Sequence, residues 1–61
     1  MYILWEVNHC LGSWFLVGKN DNIEPLKESA NERVKNKRKF VELVIIDNHT
    51  NKKVFSVKGT D

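Results

Sequence analysis

Four segments of this chain have the β-branched, aromatic and alternating composition of strands, whereas only one has the spacing of a helix. The strand segments are Tyr2 to Val7, Ser13 to Val17, Phe40 to Ile46 and Lys53 to Val57, and the helical segment runs from Asn22 to about Lys37. One helix covers one face of a sheet, yet apolar side chains would emerge on both faces. The sequence therefore predicts a two-layer α+β fold, β-β-α-β-β, in which two hairpins form a mainly antiparallel four-stranded sheet with the helix on one face.

The small size of the chain limits how it can be stabilised. Its 61 residues predict a single compact domain, 1–61, near the lower limit for independent folding. Chains of this size commonly rely on disulfides, a structural metal or association with another chain. Cys10 is the only cysteine, which excludes an intrachain disulfide, and no Cys/His spacing predicts a zinc site. We therefore expect no cofactor, and association is the remaining means of stabilisation.

The sequence also bears on location and origin. No apolar run approaches the roughly 20 residues of a membrane span. The first residues, Met1 to Glu6, lack the basic and long apolar regions of a signal peptide. We expect a cytoplasmic protein with no membrane partner. The many Asn and Lys residues are typical of AT-rich genes, such as those of low-GC bacteria and their phages.

The first hairpin is predicted from its glycine and its alternation. A three-residue loop, Cys10-Leu11-Gly12, would place the glycine in the left-handed conformation that such loops need. Val7 then lies opposite Phe15. Trp5 lies opposite Val17, so both pairs share one apolar face with Ile3. The reverse face would be mixed, with Tyr2, Leu4, Glu6, Asn8, Trp14, Leu16 and Gly18.

The second hairpin follows the same logic. The loop His49-Thr50-Asn51 would place Asn51 in the left-handed conformation, which Asn tolerates well. Ile45 then faces Phe55, and Glu42 meets Lys58 on the other face as a favourable charge pair. The remaining predicted pairs are Leu43 with Val57 and Asp47 with Lys53.

The helix between the hairpins has a narrow apolar stripe. Its members recur at helical spacing and are Ile23, Leu26, Ala30 and Val34. Asn22 is the predicted N-cap, and Asp21 with Glu24 is an alternative capping box. A stripe of this width can shield one sheet face and no more.

The face away from the helix is predicted to carry an unpartnered apolar patch. Its members would be Tyr2, Leu4, Trp14, Leu16, Phe40, Val44, Ile46 and Val54. A contiguous patch of this kind indicates an interaction site, unless the stems of Lys and Arg side chains or the chain ends cover it. The candidate partner-binding residues are Tyr2, Leu4, Trp14, Leu16, Val44 and Ile46.

Charge is distributed unevenly along the chain. Residues 1–32 carry two bases and five acids, whereas residues 33–61 carry eight bases and three acids. The densest basic stretch contains Arg33, Lys35, Lys37, Arg38 and Lys39. Such a run can bind nucleic-acid phosphates or an acidic protein partner. The competing interpretation is a solvated helix end, because bases there complement the helix dipole.

Four residues could suggest catalysis or metal binding: His9, Cys10, Asp47 and His49. A Cys–His pair needs spatial contact, not adjacency in sequence. The predicted topology puts the two hairpin loops at opposite ends of the sheet, about 20 Å apart for strands of this length. We therefore predict no catalytic residues, no metal site and no small-molecule substrate.

Together these features predict a small non-enzymatic interaction protein. It would be an intracellular regulator or inhibitor, of a phage or mobile-element type, that binds a protein partner or a second copy of itself through the apolar sheet face. The alternative is a nucleic-acid-binding module, in which the basic stretch binds phosphates and Trp14 and Tyr2 stack on bases.

Overall fold

The computed structural model describes all 61 residues, Met1–Asp61. The elements are β1 (Tyr2–Asn8), β2 (Ser13–Asn20), α1 (Ile23–Val34), β3 (Val41–Asp47) and β4 (Lys52–Lys58). The strands form one antiparallel sheet in the order β2-β1-β3-β4, and α1 packs on one of its faces. This confirms the predicted α+β class, the order of elements and the two hairpins. No helix has the length and apolar character needed to cross a membrane.

Helix α1 begins where the sequence predicts. Asn22 is its N-cap, and the Asn22 side chain accepts a hydrogen bond from the Glu24 backbone N–H at 3.1 Å. The helix ends at Val34, earlier than the predicted end near Lys37, because the chain tightens into a turn in which the Lys37 N–H donates to the Val34 carbonyl at 3.0 Å. The early end leaves most of the basic stretch in a loop.

The core lies between α1 and the sheet. Its buried members are Leu4, Leu26, Ala30, Val34, Val41, Leu43 and Ile45, and the partly buried side chains around them are Tyr2, Val17, Ile23, Phe55 and Val57. Ala30 is fully buried, so its small side chain lets the helix lie close to the strands. Central strand β3 contributes three of the core residues, more than any other strand.

The first hairpin departs from the prediction because its loop has four residues, His9 to Gly12. Asn8 organises this loop: its side-chain oxygen accepts from the N–H groups of Cys10 and Leu11 at 3.0 and 2.9 Å. The Asn8 carbonyl also accepts from the Gly12 N–H at 2.7 Å. Gly12 has the predicted left-handed conformation, with φ 71°. The extra loop residue shifts the register of the hairpin from the loop as far as Trp5.

The shifted register exchanges the two faces of β1, so that side chains predicted on the helix side lie on the opposite side of the sheet. Val7 lies opposite Trp14 and Trp5 opposite Leu16, so the predicted pairs Val7 with Phe15 and Trp5 with Val17 are wrong. A β-bulge in β2 near Val17 then restores the predicted register for the start of β1, where Leu4 lies opposite Gly18.

The reversal moves two predicted partner-binding residues to the helix side. Leu4 is 0% exposed in the core, and Tyr2 packs against that core. The prediction that Tyr2 and Leu4 lie on the uncovered face is therefore wrong. Their places on that face are taken by Ile3, Trp5 and Val7, because side chains alternate along a strand.

The second hairpin is closer to its prediction. Ile45 pairs with Phe55 and Glu42 with Lys58, as predicted, and the predicted pair of Leu43 with Val57 is also present. Nearer the loop a bulge shifts the register, so Asp47 pairs with Lys52 and not with Lys53. This loop again has four residues, and its last residue, Asn51, has the predicted left-handed conformation with φ 60°.

Candidate interaction surface

The sheet face turned away from α1 is largely apolar, and we call it the open face. Its residues on the three strands β2, β1 and β3 are Ile3, Trp5, Val7, Trp14, Leu16, Lys19, Glu42, Val44 and Ile46. Trp14 is 57% exposed and Leu16 45% exposed. The Trp5 ring meets the Trp14 ring edge to face, with centroids 5.9 Å apart and planes at 74°. Aromatic pairs favour this edge-to-face geometry, and the contact holds the exposed Trp14 ring in a defined position.

Four of the six predicted partner-binding residues lie on the open face: Trp14, Leu16, Val44 and Ile46. They differ in accessibility. Trp14 and Leu16 are exposed, Ile46 is partly buried, and Val44 is buried beneath its neighbours. Trp14 and Leu16 are therefore the residues that a partner can reach most readily.

Sequence reasoning missed Ile3, Trp5 and Val7 as members of this face. The signal that could have placed them is Asn8, since Asn and Asp hydrogen-bond to backbone groups two or three residues ahead and start turns. Asp47 does the same before the second loop, where its carboxylate accepts from the His49 N–H at 2.9 Å.

A polar cluster lies on the open face beside the apolar residues. Glu42 is only 7% exposed, and its Oε1 lies 2.7 Å from His9 Nε2. Its Oε2 lies 3.7 Å from Lys53 Nζ. The hydrogen bond from His9 holds the pKa of Glu42 below its usual value of 4.5, with support from Ser56 and Lys53, although burial of the carboxyl opposes this. The cluster gives the apolar patch a polar border.

The basic stretch is partly neutralised within the chain. Arg33 Nε donates to Glu6 Oε1 at 2.7 Å, and Lys37 Nζ lies 3.5 Å from Glu6 Oε2. Lys35 Nζ contacts Glu32 at 3.1 Å. Burial of the Glu6 carboxyl is the largest single influence and raises its pKa, but the Arg33 hydrogen bond and the charges of Lys37 and Arg33 together lower it below 4.5. Arg38 and Lys39 make no ion pair.

The basic stretch and the tryptophans do not form one surface. The Arg33 guanidinium lies over the Phe15 ring, 5.8 Å from its centroid, and both side chains are on the helix side of the sheet. Trp14 points to the opposite face from its neighbour Phe15. Tyr2, the second predicted base-stacking residue, packs against the core on the helix side.

The residues that suggested catalysis are dispersed. Asn8 lies opposite Val41 and Tyr2 opposite Asp47, so the two hairpin loops are at opposite ends of the sheet, with His9 in one and His49 in the other. No group of His, Cys, Asp or Glu side chains is arranged to hold a metal ion, and the surface has no pocket.

The outer edge of β2 is the second candidate surface. Three consecutive residues of this edge strand, Trp14, Phe15 and Leu16, are 57%, 60% and 45% exposed.

Scans against protein-family models, curated proteins and solved structures found no match to this chain.

The two buried or ion-paired carboxyls predict an acid-sensitive fold. Because both pKa values are lowered on folding, Glu6 and Glu42 stabilise the protein fully above about pH 4.5, and this contribution is lost as the pH falls through the lower folded values. We expect Glu6→Gln to cost about 1 kcal/mol at pH 7 and to reduce the loss of stability in acid.

Urea denaturation at pH 7, 5 and 3, followed by circular dichroism, measures this effect. Glu28→Gln is the matched control, since Glu28 is exposed and makes no ion pair. Equal acid profiles for Glu6→Gln and the wild type would contradict the assigned role of Glu6.

Proposed function

We propose that this chain is a non-enzymatic interaction protein that binds a protein partner through the open face. The observation that carries the proposal is the half-exposed pair Trp14 and Leu16, placed beside Trp5 on a face that the helix does not cover. In this proposal the protein is a cytoplasmic regulator or inhibitor, which acts by covering a working surface of its partner.

The composition of the open face supports a protein partner. Interface energy concentrates in a few aromatic anchors that sit within a polar rim. Trp14 is such an anchor, because the edge-to-face contact with Trp5 orients its ring before binding. The polar cluster of Glu42, His9 and Lys53 supplies the polar border.

The geometry gives less support to the nucleic-acid alternative. A phosphate-binding strip works with stacking aromatics when both lie on one surface. Here Arg33 and Lys37 are paired with Glu6 on the helix side, while Trp14 lies on the open face. Arg38 and Lys39 remain free of ion pairs and could speed the encounter with an acidic partner.

The test is affinity capture from a lysate of the source organism, with the wild type and two variants as bait. We expect Trp14→Ala to lose the partner, with affinity reduced about 30-fold because an aromatic anchor contributes about 2 kcal/mol. Leu11→Ala is the matched control: Leu11 is 77% exposed but lies in the first hairpin loop, outside the open face. It should retain the partner.

Salt separates the two kinds of partner. Capture through the apolar open face should persist from low to moderate salt, whereas phosphate-driven binding should fall steeply. A partner bound equally by the wild type and Trp14→Ala, or a salt-sensitive partner that nuclease treatment removes, would contradict the proposal.

A further inference from the structure

Strand β2 is an edge strand whose first part, Ser13 to Leu16, lacks the charges, prolines and bulges that normally protect edge strands. Its inner side pairs with β1, and its outer side pairs with no strand. Exposed apolar side chains lie on both of its faces: Trp14 and Leu16 on the open face, and Phe15 on the helix side. A bare, apolar edge of this kind is a template for another strand.

The other edge strand, β4, is protected by contrast. It carries Lys52 and Lys53 at one end and Lys58 at the other. Lysines on an edge prevent strand addition, because a pairing strand would have to desolvate or oppose them. The only charged residue in β2 is Lys19, near its end and beyond the bulge. The lysines therefore protect the β4 edge against strand addition, whereas the first part of the β2 edge has no such protection.

We propose that two copies of this chain pair through their β2 strands, antiparallel and related by a two-fold axis near Phe15. This arrangement would join the two sheets into a continuous sheet of eight strands. Around the axis, Trp14 of one copy lies opposite Leu16 of the other, and Phe15 lies opposite Phe15. Aromatic–aliphatic and aromatic–aromatic pairs are favourable cross-strand neighbours.

The edge is complementary to a second copy of itself, because the two-fold operation sets apolar side chains against apolar side chains. Pairing about Phe15 uses the stretch from Ser13 to Val17, which contains no charged residue, so no like charges oppose each other. On the helix side each Phe15 is covered by Arg33, whose charge Glu6 already compensates at 2.7 Å. The same two-fold operation on β4, centred on Phe55, would instead set Lys52 against Lys58.

This pairing uses the backbone edge of β2, whereas the proposed partner binding uses side chains of the open face; Trp14 and Leu16 take part in both, but Phe15 takes part only in the pairing. A dimer formed through β2 leaves Trp5 and Ile46 uncovered, and it places two open faces side by side. Either proposal can therefore fail while the other holds, and the two tests have different readouts: solution mass for the β2 pairing, and partner capture for the open face.

The first test compares charged substitutions on the two edges. We expect Phe15→Lys to weaken dimerisation about hundredfold or more, because it opposes like charges across the axis. Phe15 is 60% exposed, so the fold should persist, which circular dichroism checks. Val54→Lys is the matched control, since Val54 is 45% exposed on the other edge strand. It should leave the dimer intact.

The second test reads the register directly. Phe15→Lys and Phe15→Glu should each be monomeric alone, because each opposes like charges. Mixed in equal amounts they should form a heterodimer, since opposite charges then meet at the axis. Solution mass by light scattering measures both results. A dimer that survives Phe15→Lys, a dimer lost on Val54→Lys, or failure of the mixture to associate would overturn the proposed pairing.

Discussion

Leu4→Ala is expected to destabilise this protein by about 2–5 kcal/mol, the range for truncating a buried leucine. Leu4 is 0% exposed and lies in the core between the central strand β1 and the helix. Domains have about 0.05–0.15 kcal/mol of stability per residue, or about 3–9 kcal/mol for a chain of this size. The variant should therefore lose a large share of its stability, and it would be largely unfolded at about 25 °C if the wild type lies near the lower end of that range.

The stability of Leu4→Ala is best compared with that of Trp14→Ala. Both residues belong to the set that the sequence placed on one surface, but Trp14 is 57% exposed on the open face. We expect Trp14→Ala to change stability by less than about 1 kcal/mol, as is usual for surface positions. Urea denaturation followed by far-ultraviolet circular dichroism measures both variants. A folded Leu4→Ala variant together with an unfolded Trp14→Ala variant would reverse the assigned orientation of β1.

Gly59→Ala is expected to have a comparably large effect, about 3 kcal/mol, because the site has no room for a methyl group. Gly59 is buried, and its N–H donates to the Val41 carbonyl at 2.9 Å. A Cβ at this position would overlap the backbone carbonyl groups of Lys37 and Arg38. The backbone would have to move, and the loop that carries the basic residues would move with it.

Gly18→Ala is the matched control for this prediction. A Cβ at Gly18 would meet the Leu26 side chain at 3.9 Å, an ordinary van der Waals distance. We expect Gly18→Ala to leave the urea midpoint nearly unchanged while Gly59→Ala lowers it strongly. Similar midpoints for the two variants would show that the tail at Gly59 does not pack against the basic loop.

Local signals predicted the parts of the fold in which one interaction dominates. Asn22 is the N-cap because its side chain can satisfy a free N–H group at the start of the helix. The pairing of Ile45 with Phe55 follows from alternation on two strands joined by a short loop. Both signals act within a few residues, so they could be read without knowledge of the tertiary structure.

The first hairpin was predicted in the wrong register because two local signals competed. Gly12 fits a loop of three residues or of four. Asn8 decides between them by bonding to the N–H groups of Cys10 and Leu11, and this adds His9 to the loop. A change of one residue reverses a strand, so Leu4 moved into the core and Trp5 onto the open face.

The strand order is a tertiary property and could not be predicted from either hairpin. β1 and β3 pair directly, with Tyr2 opposite Asp47 and Asn8 opposite Val41. This pairing makes β2 an edge strand and exposes Trp14, Phe15 and Leu16 together. The sequence therefore predicted an uncovered apolar sheet face, but it identified only some of the residues that form this face.

The solution mass of the wild-type protein tests the central claim most directly: two copies of this chain associate through the apolar residues that the fold leaves uncovered at β2. Light scattering over a range of concentrations, in low and moderate salt, should show a species of twice the monomer mass of 7.1 kDa. Salt should not dissociate it, because the paired segments carry no charge. A mass of 7.1 kDa at every concentration would contradict the claim.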